Sequence, residues 1–257
     1  MEAAELAIFM ISACVFTVLL FHPTSPALHW LPNPTLRRLL MGISMGSTAI
    51  AIIQCPWGKK SGAHFNPAVT LTFLRLGKIH RRDAIFYIVF HFLGATAGVG
   101  ISALLLGPAL ASPAVNYAVT VPGPAGAGAA FAAESFMAAL LMAVVLITSD
   151  RPRLAPYTAD CMGFLITWYV LLFAPVSGFS INPARTTGSA VFSGVWTAIW
   201  VYFSAPVLGM LLSAELYVRL AGLHEDSPLQ SGARRRRHYF THRYVTGKDS
   251  TEVITIQ

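Results

Sequence analysis

Long apolar runs separated by short breaks rich in proline and glycine dominate the chain, and the lengths of the runs carry the first information. Between Asp83 and Glu134 there is no Asp, Glu, Lys or Arg, and the intervals from Asp160 to Arg185 and from Arg185 to Glu215 are also free of charge. A helix crossing the hydrocarbon of a bilayer needs about 20 apolar residues. Hydropathy read together with breakers predicts six such spans, at 4–22, 38–56, 84–106, 129–149, 156–174 and 196–220. The breaks carry turn chemistry: HPTSPALHWLPNP after the first span, GPALASPAVNYAVTVPGPAGAG after the third and SDRPRLAP after the fourth.

Two apolar stretches are too short for this scheme. Residues 66–77 and 182–192 each follow an Asn-Pro pair and extend over 11 or 12 positions, which at a helical rise of 1.5 Å per residue reaches only about half the hydrocarbon thickness. They sit at the end of near-identical strings, SGAHFNPAVT at 61–70 and SGFSINPART at 177–186, with six of ten positions the same. The first string follows the second span and the second follows the fifth. Three spans per half is an odd number, so the second half enters the membrane upside down relative to the first. Each half also carries a glutamate in its first span, Glu5 and Glu134. The pattern predicts an all-α membrane protein of six transmembrane helices and two re-entrant half-helices, built as an inverted repeat. The halves are expected at about 1–110 and 125–222, followed by a basic tail at 223–257 for which disorder is the default.

Composition agrees with a membrane class: 55% of the 257 residues are hydrophobic and 11% are charged, against roughly a quarter charged in a soluble domain. The opening MEAAELAIF is acidic where a secretory signal is basic, so the first run is read as a retained span. Cys14, Cys55 and Cys161 are odd in number and lie mostly within apolar runs, which describes small packing residues better than a disulfide framework. The net charge of +7 sits at span ends and in the tail, a distribution that argues against a nucleic-acid partner. Fifteen of the 18 Lys and Arg residues fall on the side of the termini, and Arg37, Arg38 and Arg185 fall on the other. The positive-inside bias then predicts cytoplasmic termini. Arginines of the tail run RRRR suit an anionic leaflet.

Backbone outside a full helix survives at membrane depth only where protein or a polar cavity satisfies it. Half-helices entering from opposite faces meet N-terminus to N-terminus, each presenting unpaired N–H groups and about half a positive charge. Asn66 and Asn182 can each accept a backbone N–H through the side-chain carbonyl and keep the NH₂ as a neutral donor, and Pro67 and Pro183 suit the first helical position. Ala68 and Ala184 complete the pair of triplets. Asn-Pro alone is a common helix start, and Asn33-Pro34 is expected only to open the second span. Two copies in equivalent places of inverted halves are not explained by that.

These paired strings resemble the signature of the major intrinsic protein family, the aquaporins and glycerol facilitators, over roughly residues 3–220. The resemblance implies a homotetramer with a pore through each subunit, no cofactor and no metal, and a passive flow of water or other small neutral solutes. It assigns Arg185 to an outer constriction, together with Val170, Phe179 and, from the second span, Gly46 or its neighbour Met45, because the CPWGKK loop can shift that register by one residue. It casts Glu5 and Glu134 as buried acceptors that hold the re-entrant loops. His64 falls at the cytoplasmic mouth, as a passive lining residue or a pH sensor. A cation about 5 Å from one helix end, at an effective dielectric near 20, is repelled by about 1.5 kcal/mol, and two ends and Arg185 add to this. Water, which regains hydrogen bonds from the Asn donors and backbone carbonyls, is not.

The markers of substrate conflict. Val170 stands where strict water channels resembling this chain carry His, and Phe179 matches glycerol facilitators, so the constriction is expected to be greasier than a strict water filter. Val170 also resembles plant nodulin-like channels, some of which pass uncharged metalloid acids. In contrast, Thr186, Ala190, Tyr202 and Phe203 are aquaporin-like. Water is the first expectation and glycerol or a metalloid acid the alternative. An ion-coupled secondary transporter would share the broken helices but would want carboxylates or a charged site at the break, which offers two neutral Asn side chains. A membrane enzyme would need a metal cluster or nucleophile-base pair, and the histidines show no such spacing.

Overall fold

The computed structural model describes residues 1–222; the basic tail from 223, and the expectation of disorder made for it, lie outside the described residues. Eight helices carry the architecture: α1 (Glu2–Phe21), α2 (Pro34–Gln54), α3 (Pro67–Arg75), α4 (Arg81–Leu106), α5 (Gly126–Ser149), α6 (Thr158–Ser177), α7 (Pro183–Ser193) and α8 (Ile199–Gly222). Six of them are long and apolar enough to cross a membrane. The other two, α3 and α7, are half-length, as their Asn-Pro starts predict. Observed ends agree with the predicted spans to within a few residues, the largest difference being the earlier start of α2. Asn33 opens α2 in the ordinary way, its Oδ1 accepting from Thr35 N at 2.8 Å and Leu36 N at 3.3 Å.

Within each half the first and third spans pair, α1 on α4 and α5 on α8, while α2 and α6 join the halves. Apolar side chains gain little from burial against one another when lipid is the alternative, so close backbone approach at small residues supplies the packing. A Cβ added at Gly94 of α4 would lie 2.2 Å from Ala3 O of α1, and one at Gly209 of α8 would lie 2.3 Å from Ser135 O of α5. The same contact therefore occurs in the same place of both halves. At the α2–α6 crossing Gly42 backs on Thr167, and a Cβ at Gly46 would meet Gly163 O at 2.4 Å.

The half-helices are exchanged between halves. α7 packs chiefly on α4, the last span of the first half, and α3 packs on α8, the last span of the second. A Cβ on Gly188 of α7 would meet Ala95 of α4 at 2.8 to 2.9 Å, so this contact is also backbone-close. The exchange carries both N-termini to a common point between the halves.

Substituting Gly46 by Ala places a methyl carbon against a backbone carbonyl that cannot move alone. It should destabilise the protein in detergent by about 1–3 kcal/mol. Gly128→Ala, where a Cβ meets nothing within 4 Å, should be neutral or stabilising by up to about 1 kcal/mol. Paired thermal melts, followed by loss of the monodisperse species, compare the two.

Candidate functional site

The two re-entrant loops are built from the same donors and acceptors. In the second half, Glu134 of α5 is fully buried and accepts Ser177 Oγ at 2.7 Å, Ser180 N at 2.9 Å and Ile181 N. Ser177 Oγ in turn accepts Phe179 N at 3.2 Å, and Tyr202 of α8 donates its hydroxyl to Ser177 O at 2.7 Å. Each loop N–H that a helix would have satisfied thus finds an acceptor. The side chain that provides most of them has no donor of its own, and a carboxylate offers about four lone-pair positions.

The first half repeats this with one change. Ser61 Oγ accepts Ala63 N at 3.0 Å, and Tyr87 donates to Ser61 O at 2.8 Å. The loop amides, however, go to Glu2: His64 N to Oε1 at 3.1 Å and Phe65 N to Oε2 at 2.7 Å. Glu5 keeps only Ser61 Oγ, at 2.7 Å from Oε1, and its Oε2 is buried without a partner. Glu5 therefore shares with Glu134 the hold on the loop serine, Ser61 and Ser177 respectively, while the loop amides that Glu134 also accepts go to Glu2 in the first half. Glu2, beside the Ala3–Gly94 contact, occupies the place that Glu134 holds beside Ser135–Gly209. Glu2 and Glu5 stand one helical turn apart on the same face, and between them they make the contacts that Glu134 makes alone. Glu2 has a further partner without equivalent in the second half, the fully buried His91, whose Nε2 lies 2.7 Å from Oε2.

Satisfying the loop amides in this way forces unusual backbone. Ala63 and Phe65 have φ of 49° and 28°, and Phe179 and Ile181, their counterparts, have 52° and 45°. A non-glycine residue in the left-handed region costs about 1–2 kcal/mol. The alternation turns the amides towards the glutamates. It leaves Phe65 O and Ile181 O at the meeting point of the half-helices.

There the loops lock across the halves. Asn66 Nδ2 donates to Ile181 O at 2.8 Å and Asn182 Nδ2 donates to Phe65 O at 2.8 Å. Each Oδ1 caps its own helix, Asn66 accepting Ala68 N at 2.9 Å and Asn182 accepting Ala184 N at 3.1 Å and Arg185 N at 3.2 Å. The two Asn side chains, Pro67, Ala68, Pro183 and Ala184 are all buried. Each carboxamide spends its oxygen and one N–H on this arrangement. One N–H per residue remains, at the positive ends of two facing helices.

Of the residues assigned to a constriction, Met45, Val170 and Phe179 are buried in one continuous apolar cluster. Tyr169 packs beside Phe179 with ring centroids 5.9 Å apart. Arg185 follows directly in the first turn of α7 and presents a buried Nη1 without a protein partner. Gly46 is not among them. Its Cα is pressed on Gly163 of α6, whereas the neighbouring Met45 lies in the cluster and its sulfur accepts Ser12 Oγ at 3.9 Å. His64 stacks on Phe73 at 4.9 Å and meets the edge of Tyr87 at 5.3 Å, with Nδ1 at 2.9 Å from Thr70 Oγ1. Tyr202, unlike the exposed Phe203 beside it, is fully buried and carries the hydrogen bond described above.

Residues that the sequence did not single out are Glu2, His91, Tyr87 and Thr120, the last joined to Thr186 by its hydroxyl at 2.8 Å. Glu2 and Tyr87 left a signal: an acid one turn before Glu5, and a tyrosine 115 positions before Tyr202 on the matching span. His91 and Thr120 left none that composition or period could reveal.

Comparison with known proteins agrees with the geometry. The family model described as "Major intrinsic protein" matches residues 4–217. A "Probable aquaporin NIP-type" of Nicotiana alata is 35% identical over 178 residues, which is 69% of this chain but only 63% of that relative's length. A "Glycerol uptake facilitator protein-like 6" of Lactiplantibacillus plantarum is 32% identical over 189 residues, 68% of this chain and 82% of the relative. Among solved structures, the aquaglyceroporin of Plasmodium falciparum superposes with a TM-score of 0.69 at 20% identity, covering 84% of this chain and 92% of that one. A family model that matches residues 4–217, with six helices long and apolar enough to cross a membrane, shows that the chain belongs to the major intrinsic protein family.

Proposed function

We propose that the protein is a passive pore for water that excludes ions and protons, with glycerol or other small uncharged solutes as a second class of cargo. The observation that supports this most directly is the reciprocal Asn66–Ile181 and Asn182–Phe65 hydrogen bonding, which fixes two neutral donors side by side at the positive ends of α3 and α7. A water molecule passing them exchanges its bulk partners for the free N–H of each Asn. A cation meets two helix ends and Arg185, all of them positive. A proton chain is interrupted because a water that accepts from both asparagines cannot at that moment accept from its neighbour in the file.

The second cargo rests on the constriction. Met45, Val170 and Phe179 are apolar, and Arg185 alone among the four offers donors. A greasy wall with one polar corner suits the carbon skeleton and hydroxyls of a polyol better than a ring of polar groups would. The name of the Lactiplantibacillus plantarum relative points the same way. Solutes of metalloid-acid type would meet the same wall.

The protein is proposed to act as a homotetramer with cytoplasmic termini. Outward residues such as Ile85, Phe86, Leu104 and Leu212 are exposed in the single chain and suit lipid or a neighbouring copy. Chemical cross-linking in native membranes, with a ladder ending at four, checks the assembly.

Stopped-flow light scattering of proteoliposomes, first under an impermeant osmolyte gradient and then under a glycerol gradient, tests the function. Wild-type protein should give water flux that is linear in the gradient. A saturable or ion-dependent flux instead favours a coupled carrier. Val170→His should lower the glycerol-to-water permeability ratio by about tenfold, the worth of one steric contact in a tight pocket. Asn66→Ala removes a cap and one crossing bond. At equal amounts of incorporated protein it should cut water permeability by about tenfold, in keeping with the loss of about 1–2 kcal/mol of buried hydrogen bonding.

A further inference from the structure

The second re-entrant loop is held by a run of buried hydroxyls that is longer than its counterpart in the first half. The tenth residue of each repeated string bonds the fourth: Thr70 to His64 Nδ1 in the first half, Thr186 to Ser180 Oγ in the second. In the second half alone, Thr186 is also bonded to Thr120, a residue of the linker between the halves. Thr120, Ser180 and Thr186 are each no more than 5% exposed.

The direction of this run follows from counting hydrogens. A hydroxyl has one to give. Ser180 Oγ donates to Asn182 O at 2.9 Å, and a carbonyl can only accept. Thr186 must then donate to Ser180, and Thr120 must donate to Thr186. The result is a one-way chain from Thr120 to Thr186 to Ser180 to the carbonyl of Asn182, in which each bond polarises the next.

The chain's position matters more than its length. Phe179 immediately precedes Ser180, and Arg185 immediately precedes Thr186, so the last two hydroxyls stand next to two of the four proposed constriction residues. Thr120 is itself fixed from outside the loop. It follows a tight turn in which Asn116, Tyr117 and Ala118 all have positive φ, and it lies against Gly178, whose added Cβ would come within 3.0 Å of Thr120 Cα. Three residues on, Gly123 N bonds Val176 O at 2.9 Å, and Ser189 Oγ of α7 reaches Ala118 O at 3.4 Å. The linker is thereby clamped over the second loop and over α7.

We propose that Thr120 is a positioning residue for selectivity: its hydroxyl, through Thr186 and Ser180, sets the spacing of Phe179 from Arg185 and so the largest neutral solute that passes. This rests on the reading of the protein as a neutral-solute pore. Losing the first link leaves the pore open to water but lets the constriction yield to a bulkier molecule.

The test is the ratio of glycerol to water permeability in proteoliposomes for wild type, Thr120→Val, Thr120→Ser, Thr186→Val and the double Thr120→Val/Thr186→Val. Valine keeps the shape of threonine and removes only the hydroxyl. Thr120→Val should raise the ratio on the order of five- to tenfold, the scale of one net buried hydrogen bond, with water permeability within about twofold of wild type. Thr120→Ser should restore the wild-type ratio. The double variant should match Thr186→Val alone, because the first link acts only through the second. Should Thr120→Val fail to give a monodisperse protein, rescue is read instead from Thr120→Ser against Thr120→Ala. A ratio that stays the same or falls overturns the proposal, as does a serine variant that behaves like valine, or additive effects in the double variant. A wild-type protein that passes neither water nor glycerol overturns the pore reading itself and this inference with it.

Discussion

Unpaired backbone at the centre of a membrane is the constraint that everything else in this molecule answers. Two loops must turn inside the hydrocarbon, and their amides have neither helix nor water to bond. Glu2 and Glu134 meet the amides, Ser61 and Ser177 support the turns, and Tyr87 and Tyr202 hold the carbonyls of those serines. Once the loops are pinned, two helix starts face each other, and what stands between them is decided by two asparagines. Buried acids and left-handed non-glycine residues, both costly, meet at the two re-entrant loops.

The two halves have diverged without loosening this frame. His64 and Ser180 occupy the same position in the repeated strings and both bond the threonine six residues on, although one is a ring and the other a hydroxyl. Phe65 and Ile181 share only their backbone role, which is to offer a carbonyl to the opposite Asn. The asymmetries are equally plain: His91 backs the glutamate of the first half only, and Thr120 extends the hydroxyl run of the second half only.

Much of this was legible in the sequence because the bilayer imposes lengths. Twenty apolar residues make a span and a dozen cannot, so six helices and two half-helices could be placed to within a few residues. Asn-Pro marked the capped starts because that pair satisfies one orphan amide and removes another. What could not be read was rotation about a helix axis. A residue advances by about 100° per position, so Gly46 and Met45 face quite different directions, and only the structure shows that it is Gly46 that backs on Gly163. Glu2 and Glu5 differ by a turn and share a face, leaving hydropathy indifferent to which of them takes the loop amides and which the loop serine. Thr120 meets Thr186 across 66 residues, and a hydroxyl in an apolar linker has no periodicity to betray it.

The exchange of half-helices has a consequence for how the chain is made. When the first four elements leave the ribosome, α3 lacks α8, the helix of the other half against which it will rest, and Asn66 has no Ile181 carbonyl to bond. The first re-entrant segment therefore waits, unfinished, until the last span is synthesised, and maturation of the middle of the molecule is its final step. Truncation anywhere before the eighth helix leaves both halves incomplete.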